Sequence, residues 1–177
     1  MAPTIADLIE RNKATLAEHT PIPTFGEIQA ANGPLPTTLI VTCMDPRCIP
    51  ERYFNLGVGQ VVVHRNAGGN VRHALRDIGI VEELFHVAEL AIVHHTDCGT
   101  LAFTEDQVRG GVKARVAREH WADVDRITFG ANADLVGSVK GDVAWVRAHP
   151  LISDRLKQGC QGFVFDIKTG EIEKVDV

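Results

Sequence analysis

Three short stretches of this chain run apolar through consecutive positions, and they constrain its fold more than any other feature. They are Thr38–Thr42 (TLIVT), Gln60–His64 (QVVVH) and Leu90–His94 (LAIVH). A strand with one wet face alternates apolar and polar residues. A strand without that alternation is covered on both faces, as in a parallel sheet between helices. Between the second and third runs, Val71–Glu89 carries Ala74, Leu75, Ile78, Val81, Leu84, Phe85 and Ala88 at three- and four-residue spacing, the period of a helix. Strand, helix, strand makes a parallel, right-handed crossover. The chain therefore reads as α/β, with a central, mostly parallel β-sheet flanked by helices.

The flanking segments extend this plan. Ile5, Leu8, Ile9, Leu16 and Ala17 place a helix over residues 4–19, with Thr4 as its N-cap and Asp7 in its first turn. Residues 20–37 contain Pro21, Pro23, Pro34 and Pro36, and read as an extended arm with one short turn at Phe25–Ala30. Asp106–Glu119 and Ala133–Ala148 read as further helices. Gly162–Ile167 and Glu171–Val175, joined at Lys168-Thr169-Gly170, read as a terminal hairpin. The 177 residues fit one domain, with residues 1–37 as its N-terminal helix and arm.

Composition removes several function classes. A net charge of −5 and only seven Phe, two Trp and one Tyr give a nucleic-acid partner neither an electrostatic nor a stacking basis. No segment approaches the ~18 apolar residues of a membrane span. The start, MAPTIADLIERNK, lacks the basic-then-apolar pattern of a secretory signal. The expected location is the cytoplasm or another reducing compartment. Four cysteines are too few for a disulfide scaffold, which leaves metal ligation, catalysis or plain burial.

The chemistry concentrates where two of the strands end. Cys43-Met44-Asp45-Pro46-Arg47 follows the first strand, and His95-Thr96-Asp97-Cys98-Gly99 follows the third. Ligands of open α/β sheets bind outside the carboxyl ends of the strands, so both loops emerge on one edge. Cys43, His95 and Cys98 supply two thiolates and an imidazole, a donor set for Zn²⁺. Three protein ligands with a fourth position open mark a catalytic zinc, and zinc lowers the pKa of its water to ~7. Asp45 can orient that water's hydrogen or rotate onto the ion, and Arg47 offers a bidentate clamp that holds Asp45 ionised.

Neighbouring residues receive blander readings. His94 is the rival of His95 but packs as the last strand residue. Cys48 and Cys160 are small buried residues. Asp97 is a turn former or a hydrogen-bond acceptor near the metal loop. Arg65 and Asn66 either satisfy strand-end carbonyls or enter the site. Gly68-Gly69 lacks the context of a phosphate-cradling loop, and the charges of Arg109–Arg118 are a solvated helix face.

At these residues the chain resembles a known family. Cys-x-Asp-x-Arg (Cys43, Asp45, Arg47), His-x-x-Cys (His95, Cys98) and Arg65-Asn66-Ala67-Gly68 are similar to the zinc signature of the β-class carbonic anhydrases. The family's usual glycine pair after the second cysteine reads Gly99-Thr100 here; the short length and the HTDCG wording resemble the compact microbial branch, which includes carbonyl sulfide hydrolase-like members. The resemblance implies zinc on Cys43, His95 and Cys98, Asp45–Arg47 as catalytic dyad, and reversible hydration of carbon dioxide to bicarbonate. Hydrolysis of carbonyl sulfide or carbon disulfide is the alternative. It also implies a homodimer, alone or paired, whose N-terminal helix lies across the partner. The substrate is small and uncharged, and an apolar pocket wall from Arg65–Asn70 and 100–108 would select it. A non-catalytic zinc scaffold and a Cys43–Cys48 redox pair are the competing classes.

Overall fold

The computed structural model describes residues 2–177, in two units that divide between Pro34 and Leu35. Its strands are β1 (Thr38–Cys43), β2 (Val62–Asn66), β3 (Glu89–His95), β4 (Cys160–Phe165) and β5 (Ile172–Val175). Its α-helices are α1 (Ile5–Thr15), α2 (Phe25–Ala30), α3 (Pro50–Tyr53), α4 (Leu75–Phe85), α5 (Glu105–Lys113), α6 (Trp121–Asp125), α7 (Leu135–Ala148) and α8 (Asp154–Gln158).

The second unit is built on one five-stranded sheet in the order β2-β1-β3-β4-β5. β1 lies parallel to β2 and β3, β3 lies parallel to β4, and β5 closes the edge antiparallel to β4. The expected parallel sheet flanked by helices is what forms, with the hairpin at its end. Period-two alternation divides the strands between two cores. Leu39, Val41, Leu90 and Ile92 pack with Val71, Ala74 and Ile78 and with Val139, Val143 and Val146 of α7. Ile40, Val93 and Phe165 pack on the other side with Cys48 and Tyr53. A Cβ on Gly162 of β4 would fall inside the radius of Val139, so this glycine sets how closely α7 approaches the sheet.

Several boundaries differ from the expectations. β2 runs two residues later than the apolar run, because its backbone pairs with β1 as far as Cys43↔Asn66. The expected helix 71–89 opens as a 3₁₀ turn over Val71–Ala74 and ends at Phe85, where His86 takes a left-handed conformation (φ 52°). The expected helix 106–119 begins at Glu105 and stops at Lys113; the chain then turns, and a 3₁₀ turn over Arg118–His120 leads into the short α6.

In the first unit, α1 and α2 begin with matching capping boxes. Thr4 and Asp7, and Thr24 and Glu27, exchange side-chain and backbone hydrogen bonds. Neither helix buries a residue, and Ile5, Leu8, Ile9 and Leu16 are exposed. Among the described residues no helix is long and apolar enough to cross a membrane.

Candidate metal centre

Parallel pairing of β1 with β3 places Cys43 and His95 at neighbouring strand tips. Asp97 then takes a left-handed backbone (φ 56°), and this tight turn returns Cys98 to the same point. The Sγ atoms of Cys43 and Cys98 and a ring nitrogen of His95 lie within 4.8 Å of one another, and all three residues are buried. Strand alternation separates the two histidines. His94 turns toward α7, its Nδ1 2.7 Å from Ser138 Oγ and its Nε2 3.5 Å from Asp142 Oδ2.

The donor set fits a zinc ion. His95 Nδ1 lies 2.8 Å from the Thr96 carbonyl, which can only accept, so Nδ1 carries the proton. In the neutral ring that ligates a metal, Nε2 is then the lone pair, and in this structure that nitrogen is buried and without a hydrogen-bond partner. The two sulfurs are 3.7 Å apart. Zn–S bonds of ~2.3 Å in a tetrahedron require a sulfur–sulfur edge of ~3.8 Å. The Asp45 N–H donates to Cys43 Sγ at 3.4 Å, and Thr100 Oγ1 lies 3.1 Å from Cys98 Sγ, so both sulfurs have hydrogen-bond support as thiolates.

Without a cation these groups share their protons unevenly. Hydrogen bonding from Cys43 pulls the Cys98 thiol down to about 3, with His95 and Thr100 adding to the effect. The same contact with Cys98, and burial, push Cys43 up to about 12. Burial opposes charge on His95, but the sulfurs of Cys43, Cys48 and Cys98 around it outweigh burial and raise it to about 12. Cys48, fully buried, is therefore a third sulfur beside the imidazole.

Asp45 lies at the rim of this cluster and is held by Arg47. The Arg47 backbone N–H and Nε both donate to Oδ1 at 2.9 Å, and Nη2 donates to Oδ2 at 2.7 Å. These bonds from Arg47 hold the carboxyl far below the usual carboxylate range. A carboxylate offers about four acceptor sites, so three bonds from Arg47 leave one, on Oδ2. Arg65 takes the blander of its two readings: Nε donates to the Cys43 carbonyl and Nη2 to the Asp45 carbonyl. Asn66 bonds the Asn70 carbonyl.

A cavity of about 390 Å³ opens beside the sulfurs, lined by Cys43, Asp45 and Cys98 and by Met44, Ala67, Phe103, Val108, Phe129 and Ala131. Its apart from Asp45 mostly apolar wall includes parts of both expected segments, 65–70 and 100–108. Gly69 lets the 67–69 turn press on the end of β1: its φ is 69°, and a Cβ there would lie 3.0 Å from Cys43 N.

The 129–131 stretch of the wall was not expected. Glu105, the first residue of α5, accepts the N–H groups of Phe129, Gly130 and Ala131 at 3.1, 2.6 and 3.1 Å. Arg109 is not a solvated charge; it donates to the carbonyls of Val124 and Ile127. Thr104 followed by Gln107 marks a capping box at this helix start, but nothing local in the sequence shows that Glu105 reaches the 129–131 loop.

Comparison with known proteins agrees with this geometry. A family model described as carbonic anhydrase matches residues 38–172. The chain is 31% identical over 150 residues to beta-carbonic anhydrase 1 of Mycobacterium tuberculosis, covering 81% of this chain and 87% of that protein. It is 28% identical over 156 residues to a carbon disulfide hydrolase of Acidianus, covering 76% and 75%. Among solved structures, a carbonic anhydrase from Glaciozyma antarctica superposes with a TM-score of 0.83 at 35% identity, over 99% of this chain and 100% of that one. Fold, donor cluster and matched length converge, and the chain belongs to the β-carbonic anhydrase family.

Proposed function

We propose that this protein catalyses the reversible hydration of carbon dioxide at a zinc ion held by Cys43, His95 and Cys98, with Asp45 and Arg47 as its catalytic dyad. The observation that carries the reading is the juxtaposition of a three-donor cluster, a largely apolar cavity and a carboxylate with one acceptor site left. When bound, zinc supplies a Lewis acid that makes hydroxide available near neutrality. The protein's own groups do the rest. Arg47 keeps Asp45 ionised, Asp45 Oδ2 accepts the hydrogen of the attacking water, and that bond aims the oxygen lone pair at the substrate carbon. Met44, Phe103 and Phe129 give a neutral, linear molecule an apolar berth and offer no charged clamp.

Hydrolysis of carbonyl sulfide, or of carbon disulfide, is the second reading. The apolar wall favours it, and so does the similarity to a carbon disulfide hydrolase. Carbonyl sulfide and carbon dioxide share shape and electrophilic carbon, and apolar pockets separate such isosteres by only ~1–3 kcal/mol.

We read residues 1–177 as one domain that works as a homodimer in a reducing compartment, where the thiols stay available. Two features support self-association. α1 is a short helix with an exposed apolar stripe, and isolated helices of this length are marginal in water. The sheet face around Ile40 also leaves Val63, Ala91 and Phe163 only partly covered. Stopped-flow carbon dioxide hydration and sulfide release, measured side by side on zinc-loaded protein, test the reading. Fast hydration supports the first assignment and fast sulfide release alone the second; neither at neutral and alkaline pH refutes both. A non-catalytic scaffold would be indifferent to Asp45→Ala, and a Cys43–Cys48 redox protein would keep its activity after zinc removal.

A further inference from the structure

The guanidinium of Arg47 has two donor edges, and both are filled. One edge, Nε and Nη2, grips Asp45. The other belongs to Asp97: Nη1 donates to Asp97 Oδ2 at 2.7 Å, and Nη2 donates to the Asp97 carbonyl at 2.9 Å. Asp97 immediately precedes Cys98 and holds the left-handed turn that returns Cys98 to the cluster. One planar cation thus joins the loop after β1 to the loop after β3.

We propose that Asp97 is a positioning residue that acts through Arg47. Clamped on both edges, the guanidinium plane cannot turn about its own axis, and the carboxylate it grips keeps its remaining acceptor site in one direction. The Arg47 side chain is 46% exposed, so water competes for every bond it makes. With Asp97 removed, Asp45 and Arg47 become a pair of side chains that can swing together. The inference rests on the catalytic reading of Asp45 given above.

The test uses substitutions that keep the turn. Gly and Asn both tolerate a left-handed backbone. Asp97→Gly removes the carboxylate but keeps the carbonyl that accepts from Nη2. Asp97→Asn keeps a neutral acceptor as well. Four quantities are measured on zinc-loaded protein: zinc per chain, the kcat and the KM of hydration, and the hydrogen exchange of Arg47 Nε–H by ¹⁵N NMR, assigned with Arg47→Lys.

In Asp97→Gly, kcat falls about 10-fold or more at unchanged KM and zinc content, and Nε–H exchanges about 10-fold faster; Asp97→Asn returns to within about 3-fold of the parent. A parent-like kcat in Asp97→Gly overturns the proposal. So does a loss accounted for by missing zinc, or unchanged Nε–H exchange. If the parent protein hydrates no carbon dioxide and releases no sulfide, the functional reading fails on its own. The exchange rate still decides Asp97: faster exchange in Asp97→Gly upholds its hold on Arg47, and parent-like exchange ends it.

Discussion

Loading the metal-free protein with zinc should release a number of protons that changes with pH in a direction set by the cluster. Ligation needs both thiols ionised and His95 neutral. Before zinc arrives, Cys43 at about 12 is protonated, Cys98 at about 3 is already a thiolate, and His95 at about 12 is protonated. Two protons must therefore leave, so zinc affinity strengthens by about two log units, ~2.7 kcal/mol, per pH unit. Water polarised by zinc ionises near pH ~7 and contributes up to one more if a coordination position is open to solvent. The count should rise from about two at pH ~5.5 to about three at pH ~8.5. Independent groups with ordinary pKa values behave oppositely: two thiols and an imidazole would release about three at pH ~5.5. With the same solvent term they would release about two at pH ~8.5. Isothermal titration calorimetry in buffers of different ionisation enthalpy counts these protons directly. A count that falls across that range would refute the coupled cluster.

Three further outcomes follow from the same geometry. Asp45→Asn removes the charge that Arg47 grips and should lower hydration kcat roughly 100-fold while zinc content stays at the parent level; stopped-flow rates per bound zinc check this. Because Arg47 holds Asp45 far below the usual carboxylate range, Asp45 stays ionised from neutrality down past its unfolded value of ~3.9, and the rate profile should show no limb near pH ~4 that Asp45→Asn abolishes. His95→Gln should lose zinc, whereas His94→Gln, which breaks only the contacts to Ser138 and Asp142, should keep it; metal analysis after dialysis separates the two.

Much of this arrangement is legible in the sequence, for a physical reason. TLIVT and LAIVH are apolar because both faces of β1 and β3 are covered, so the same residues that declare burial declare strands, and the polar residues just beyond them fall at strand tips. Cys43 and His95 are found that way. What the sequence hides depends on contacts between distant segments. The end of β2 is set by backbone pairing with β1, so Arg65 and Asn66 belong to the strand although they are polar. Asp97 looks like any turn residue until Arg47, fifty positions away, is seen against it. Glu105 reads as a helix-start acid, and only the folded chain shows three N–H groups of the 129–131 loop converging on it.

The central claim is that two strand tips deliver three donors to one metal ion and leave a coordination position facing the apolar cavity. A crystal structure of the zinc-loaded protein near neutral pH, with an anomalous difference map at the zinc edge, tests it most directly. The account predicts a single peak bonded to Cys43 Sγ, His95 Nε2 and Cys98 Sγ, with a solvent molecule as fourth ligand and Asp45 still on Arg47. A peak elsewhere, or one whose fourth ligand is Asp45 or Cys48, would contradict it.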